Sequence, residues 1–176
     1  MFLFKHPKNR FCAPRFLLVS LVLCSVSLLT WAQVVLTYRP LTGFVLSADA
    51  PVSKGKPTLF VFEAADAFVR AFKPAPTAGK QTDRPAGSPD FAKDMVIGVA
   101  LPPTSRPPKL AIRKVFVQDS TLTVRYVRLT DTTLTDHPLP FPIQPTLLLA
   151  IPKQTVLKTK LVENGKVVQV LKQDEP

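Results

Sequence analysis

The chain has few of the residues on which catalytic and metal sites usually depend. It contains two cysteines, two histidines and six glycines. Both cysteines, Cys12 and Cys24, lie near the N-terminus, so residues 33–176 contain neither a disulfide nor a cysteine ligand. That part keeps a single histidine, His137, and neither Ser105 nor Ser120 has the surroundings of a nucleophile elbow. These absences argue against a hydrolase and against a zinc site.

Motifs for phosphate and calcium are missing as well. The glycines are too scattered for a Gly-rich phosphate loop. Asp131 and Asp136 flank a threonine-rich turn, but the alternating ligands and closing glutamate of a calcium loop are absent. We therefore predict a non-catalytic protein with no metal and no cofactor.

Runs of one charge are also absent. The chain has 23 basic and 12 acidic residues, a net charge of +11. Four basic residues precede residue 33, which leaves 19 against 12, a net charge of +7. The remaining lysines and arginines are scattered, which argues against a nucleic-acid partner. A moderate positive charge favours attraction to an anionic cell surface or polysaccharide.

The first 32 residues have the three parts of a secretory signal peptide. A basic leader precedes the apolar run 16–29, and Thr30 and Ala32 supply small residues before a cleavage point at Gln33. An uncleaved anchor is the alternative, because Val34 and the residues after it extend the apolar run toward the ~20 residues of a membrane span. We predict a secreted or periplasmic protein that contacts the membrane only if the leader is retained.

The rest of the chain predicts a mainly β domain with one short α-helix, either a single compact antiparallel β-sandwich or an open-barrel-like domain. Short apolar runs alternate with Pro, Asp, Asn and Gly. Residues 95–101 (MVIGVAL) and 146–151 (TLLLAI) are almost wholly apolar, which predicts central strands covered on both faces. Gly98 marks a place where another element approaches closely. We divide the chain into a signal peptide (1–32), an N-terminal extension with weak strands (33–56), the β-rich domain (57–172) and a tail (173–176).

One helix is predicted directly after the strand 58–62 (TLFVF). In EAADAFVRAF (63–72), an apolar stripe is formed at helical spacing by Ala65, Phe68, Val69 and Phe72. The segment 73–89 follows, rich in proline, and predicts a long exposed loop.

Two hairpins are predicted. Asp119-Ser120 joins strands 110–117 and 121–129, and broken alternation predicts a β-bulge near Arg113-Lys114. Asn164-Gly165 is a strong two-residue turn signal.

The turn at Asn164-Gly165 also fixes a predicted register for the second hairpin. It pairs Glu163 with Lys166, Leu161 with Val168, and Thr159 with Val170. The predicted buried face consists of Leu157, Leu161, Val168 and Val170.

The segment LPPTSRPPK (101–109) has two interpretations. Four prolines within seven residues make it a stiff connector between strands in the simpler one. The other is a recognition loop, aided by the Pro-rich stretch 130–145. Its candidate binding residues are Pro103, Thr104, Ser105, Arg106 and Lys109.

The segment DFAKDMVI (90–97) resembles the strand start of the PrcB family, named for an accessory subunit of a bacterial surface protease complex. A strand and short helix precede it here as in that family, and Pro140-Phe141-Pro142 leads through a strand to Pro152-Lys153. The resemblance covers 58–172. The family's Pro-Thr-Gly-Gly-Tyr-like loop is altered, because Pro103-Thr104 is followed by neither glycine nor tyrosine and prolines forbid positive φ.

This resemblance implies a secreted, non-catalytic, β-rich binding module that acts as an accessory or regulatory partner of an extracytoplasmic protease. The alternative is a carbohydrate- or cell-envelope-binding domain that acts through its basic surface. The oligomeric state is left open.

Overall fold

A computed structural model of the chain describes residues 33–75, 87–130, 132 and 138–172. The predicted signal peptide and tail, most of the loop predicted over 73–89, Asp131, Asp136 and His137 lie outside the described residues. From Gln33 onward the chain forms one compact unit.

The secondary structure is mostly β, with one short helix in the described part. In chain order the elements are β1 (Val34–Val35), β2 (Arg39–Leu41), β3 (Phe44–Leu46), β4 (Thr58–Phe62), α1 (Ala65–Ala71), β5 (Phe72–Pro74), β6 (Asp94–Ala100), β7 (Lys109–Gln118), β8 (Thr121–Leu129), β9 (Thr146–Pro152), β10 (Lys158–Glu163) and β11 (Lys166–Lys172).

The strands form a five-stranded sheet, β1-β7-β8-β10-β11, a four-stranded sheet, β2-β9-β6-β4, and a small sheet, β3-β5. Neighbouring strands are antiparallel except for β8 and β10, which pair in parallel. None of the sheets closes into a barrel, and the architecture is that of a β-sandwich. The predicted fold class is confirmed.

The main core lies between the two larger sheets. Met95, Ile97 and Val99 of β6 point into it and meet Val124 of β8 and Leu161 of β10. All five side chains are at most 1% exposed in the fold. Burial of such side chains contributes about 1.5–3 kcal/mol each, so this interface is a major source of the stability of the domain.

A second core covers the opposite face of the four-stranded sheet. Val96 and Ala100 of β6 point into it and pack with aromatic rings from β4, α1 and β5. A Cβ added to Gly98 would lie 3.1 Å from Leu148 Cδ2 and 3.3 Å from Phe72 Cε2. The predictions of a central strand covered on both faces and of a close approach at Gly98 are therefore confirmed.

The helix is shorter than its apolar pattern predicts. α1 buries Phe68 and Ala71, whereas Val69 is 52% exposed. Phe72 is fully buried, as expected, but it begins β5, which pairs with β3. The predicted stripe is thus wrong at Ala65 and Val69, which are both exposed. The loop predicted from residue 73 begins later because Lys73 and Pro74 belong to β5.

The first predicted hairpin is confirmed. Asp119 and Ser120 form its turn with φ of 48° and 52°, the left-handed values of a two-residue hairpin turn. The β7–β8 register shifts between Ile112 and Lys114, which confirms the predicted bulge. The shift turns Phe116 toward the outer face of the sheet, since Phe116 lies outside the main core cluster.

The second hairpin has its predicted turn but not its predicted register. Glu163 pairs with Lys166, yet Leu161 pairs with Gln169, and Thr159 pairs with Leu171, because the register shifts between Leu161 and Val162.

That shift gives β11 one extra residue and changes the buried face of the second hairpin. Val170 is 46% exposed, whereas Thr159 is buried. Leu157 lies before the start of β10 and is 42% exposed. Leu171 packs against the main core instead of Val170.

The segment 33–56 contributes strands to all three sheets. β1 pairs with β7, β2 with β9, and β3 with β5. Arg39 of β2 also forms an ion pair of 3.2 Å with Asp94 of β6. These contacts tie the segment to the rest of the described fold.

Candidate functional site

The two Pro-rich stretches lie side by side at one end of the sandwich. Thr104 and Ile143 exchange two backbone hydrogen bonds of 2.9 and 3.0 Å, and the backbone N–H of Leu139 donates to the carbonyl of Ser105 at 2.8 Å. Proline has no backbone N–H, so only the residues between the prolines can form these bonds. The connector 101–108 is therefore held in place by hydrogen bonds to the Pro-rich stretch that contains Leu139 and Ile143.

The five predicted binding residues differ in their exposure to solvent. Pro103, Arg106 and Lys109 are exposed, whereas Thr104 and Ser105 are half-buried. The hydroxyl of Thr104 accepts a hydrogen bond of 3.1 Å from the backbone N–H of Arg106, which closes a local turn. Thr104 and Ser105 thus serve mainly to shape the loop.

A groove with a volume of about 490 Å³ runs along the connector. Pro103, Thr104 and Arg106 line it, whereas Ser105 and Lys109 do not. The prolines around them supply much of its wall. The remaining lining residues are Leu101, Pro102, Pro107, Pro108, Arg128 and Thr130.

Arg128 is the lining residue that the sequence did not single out, and two neighbours hold it. Its Nη2 lies 2.7 Å from a carboxylate oxygen of Glu163, and the hydroxyl of Tyr126 donates to the same oxygen. This cluster joins β8 to β10. No sequence signal marks it, because Glu163 is 35 residues from Arg128 and reaches it only through the parallel strand pair.

The environment of the cluster raises the pKa values of Tyr126 and Arg128. Burial, and then the hydrogen bond to Glu163, raise the pKa of the Tyr126 hydroxyl well above its usual value. Burial lowers the pKa of Arg128, but hydrogen bonds to Tyr126 and Glu163 outweigh it and the net shift is upward. Arg128 is a fixed cation whose charge is partly balanced by Glu163.

A second candidate surface is the outer face of the five-stranded sheet. Paired residues of neighbouring strands lie on the same face, and the pairs Lys114–Arg125 and Lys158–Lys172 both lie on the face opposite the main core. Lys160, two residues after Lys158, shares that face. We call these five cations the basic face.

Acidic side chains are absent from the basic face in the part of the chain that the structure describes. Asp119 lies in the β7–β8 turn, and Glu163 pairs with Tyr126, whose ring points into the core. Among the described residues, no carboxylate on this face balances the charges of these five cations.

Phe116 organises two of these cations. Lys114 Nζ lies 5.3 Å and Arg125 Cζ 5.2 Å from the centre of its ring, and the ring is only 4% exposed. Cation–π contacts of this kind contribute about 0.5–1 kcal/mol each at exposed sites. The ring thus helps to hold Lys114 and Arg125 over it, and Lys114 Nζ also donates a hydrogen bond of 3.0 Å to Gln33 Oε1.

The residues that carry the PrcB resemblance have structural roles in the fold. Asp90 accepts backbone hydrogen bonds from Ala92, Lys93 and Asp94 in the turn before β6. Phe91 packs against Phe68 with ring centres 5.7 Å apart. These contacts give the segment 90–97 a structural role, because they shape the turn that leads into the central strand β6.

Comparison of the chain with protein-family models, with curated proteins and with solved structures finds no match. The PrcB resemblance therefore stays a prediction. The one helix in the described ranges is too short to cross a membrane. Nor do three or more His, Cys, Asp or Glu side chains come together as metal ligands among the described residues.

Proposed function

We propose that this protein is an extracytoplasmic, non-catalytic binding module that binds an anionic polymer of the cell envelope through its basic face. The observation that carries the proposal is the basic face, a group of five outward cations on one face of a sheet, where the described residues place no carboxylate. The predicted export of the chain supports the same partner class, because envelope polysaccharides are the polyanions that an exported protein meets.

The geometry of the basic face suits an extended polymer. Its cations lie on four adjacent strands, β7, β8, β10 and β11, which span about 14 Å at the usual spacing between strands. The surface is a sheet face rather than a cleft, so charge and not shape would provide most of the affinity. Such binding weakens as salt screens the charges.

A nucleic acid fits this surface less well. Proteins that bind single strands usually present exposed aromatic rings on which bases stack. The aromatic ring described on the basic face, Phe116, lies beneath Lys114 and Arg125 and offers no free surface for stacking.

The test compares two triple variants that lose the same charge. One is Lys158→Gln with Lys160→Gln and Lys172→Gln on the basic face. The other is the control, which changes three exposed lysines elsewhere: Lys54→Gln, Lys56→Gln and Lys93→Gln.

Binding to polygalacturonate, with dextran as the neutral polymer, is measured by calorimetry between 50 and 300 mM NaCl. We expect binding to polygalacturonate alone. The logarithm of the binding constant should fall with the logarithm of the NaCl concentration. In the basic-face triple variant this fall should be less steep by about 2, at roughly 0.7 for each of the three lost contacts. An equal loss in the control variant, or affinity that does not change with salt, would refute the proposal.

A second candidate function is that of an accessory partner of an extracytoplasmic protease, which the PrcB resemblance implies. It is favoured by the groove along 101–108 and by Phe141, which is 66% exposed near the same segment. Cross-linking with the cell's own secreted proteins should retrieve a protein partner, and Arg106→Ala should weaken its capture. If no partner is retrieved and alanines at Thr104–Arg106 change nothing, this function is excluded.

A further inference from the structure

A second groove lies on the far side of the four-stranded sheet from the main core. Its volume is about 620 Å³, and it runs between α1 and the segment 47–51. The rings of Phe60 and Phe62 form its floor, stacked with centres 5.8 Å apart and planes 8° from parallel. Small-molecule sites usually have volumes of about 300–1,000 Å³ and mostly apolar walls, and this groove has both properties.

Small side chains keep this groove open. Ala67 and Ala71 face it from α1, and Ala50 faces it from the segment 47–51. Helix α1 is held to the fold mainly by Phe68 and Ala71, so Ala67 remains exposed at the rim. A leucine or phenylalanine in place of Ala67 would fill the space.

The rim of the groove is positively charged. Arg70 and Lys73 line it together with one acidic residue, Asp49. Both cations are exposed, and the structure gives neither of them an ion pair within the residues it describes. The groove thus combines an apolar floor with an excess of positive charge at one side.

We propose that this groove binds a single-chain anionic amphiphile, with its acyl chain against Phe60 and Phe62 and its carboxylate beside Arg70 and Lys73. The apolar floor favours an apolar chain, and the excess of positive charge at the rim, two cations against Asp49, favours an anionic head group. The volume suits a small ligand better than the surface of a folded partner. This site is separate from the basic face and does not depend on the proposed function.

The experiment uses the purified and delipidated full chain with dodecanoate as the probe, measured by calorimetry. Acetate tests the head group alone, and dodecyl maltoside below its micellar concentration tests the chain with a neutral head. We expect dodecanoate to bind, acetate not to bind, and the maltoside to bind at least about fivefold more weakly, since a charged hydrogen bond is worth that factor or more.

Two leucine variants on α1 separate the groove from the rest of the helix. Ala67→Leu fills the groove, whereas Val69→Leu changes an exposed residue that does not line it. We expect the affinity for dodecanoate to fall by about tenfold or more in Ala67→Leu and to stay unchanged in Val69→Leu. Circular dichroism of both variants checks that the fold is retained.

A charge variant tests the head group. Arg70→Gln with Lys73→Gln should weaken dodecanoate binding by about fivefold or more and leave maltoside binding unchanged, and Lys54→Gln with Lys56→Gln should change neither. The proposal is overturned if dodecanoate does not bind or if the two leucine variants lose affinity equally. Equally effective competition by vesicles of a diacyl phospholipid would overturn the assignment of a single-chain ligand.

Discussion

The cluster of Tyr126, Glu163 and Arg128 makes a sharp prediction about stability. Tyr126→Phe removes only the hydroxyl that donates to Glu163 and leaves the aromatic ring in the core, where Tyr126 is 1% exposed. A hydrogen bond to a charged group contributes about 1.5–3 kcal/mol. Glu163 keeps its ion pair with Arg128, so we expect the free energy of unfolding at pH 8 to fall by about 2 kcal/mol.

The same hydroxyl gives the effect a pH dependence. Burial and the hydrogen bond to Glu163 raise the pKa of Tyr126 in the folded protein above its value of about 10 in the unfolded chain. Its contribution to stability is therefore complete below pH 10 and is lost as pH rises, because only the unfolded chain then releases the proton. At pH 11 the loss reaches about 1.4 kcal/mol, which narrows the gap between wild type and Tyr126→Phe to about 0.6 kcal/mol.

The assay is urea unfolding followed by circular dichroism at pH 8, 9, 10 and 11. Tyr38→Phe is the control, because Tyr38 is 39% exposed and lies outside the cluster. Effects of pH that wild type and variant share cancel in the difference between them. The prediction is refuted if the difference in the free energy of unfolding between wild type and Tyr126→Phe stays constant from pH 8 to pH 11. It is also refuted if Tyr38→Phe shows the same change with pH, because the cluster would then not raise the pKa of Tyr126.

Three further substitutions test the packing, each measured by urea unfolding. Gly98→Ala should lower the free energy of unfolding by about 1–2 kcal/mol, because its Cβ crowds Leu148 and Phe72; no loss would show that these side chains yield freely. Thr159→Val should raise it by about 1 kcal/mol, because the buried Thr159 hydroxyl has no hydrogen-bond partner among the described residues; destabilisation would reveal a partner. Gly165→Ala should lower it by about 1–2 kcal/mol, because φ is 85° in an otherwise open turn; an unchanged value would mean that the turn relaxes.

The parts of the fold that were predicted correctly are those set by local chemistry. A strand that is apolar at every position needs cover on both faces, and β6 has it. Asp119-Ser120 and Asn164-Gly165 consist of residues that are common in turns, and both form the expected turns. Gly98 lies where a side chain would collide with its neighbours.

The parts that were predicted wrongly depend on contacts distant in sequence. The bulge in β11 moves Leu171 into the core and leaves Val170 exposed. No residue of that strand gives a sequence signal for the register shift. Val69 fits the helical stripe, yet it faces solvent because α1 is only seven residues long and packs through Phe68. Short elements take their orientation from tertiary packing rather than from their own periodicity.

The candidate sites divide in the same way. The connector 101–108 was recognisable from its prolines, and three of its predicted residues do line a groove. Arg128, which lines that groove as well, could not be found from the sequence, because its position depends on the parallel pairing of β8 with β10. A basic surface was predicted from the net charge, but the sequence did not show which cations share one face, because they are scattered along four strands.

The parallel pairing of β8 with β10 has a consequence for how the domain assembles. The β7–β8 hairpin can form early from adjacent residues, but one edge of β8 stays open until β10 arrives from beyond the other sheet. Contacts of such long sequence separation form slowly, and an open strand edge attracts other chains in the meantime. The C-terminal hairpin is therefore the segment that completes the five-stranded sheet. A chain that ends before β10 would expose the β8 edge and the inner face of that sheet, and it would aggregate rather than fold as a smaller domain.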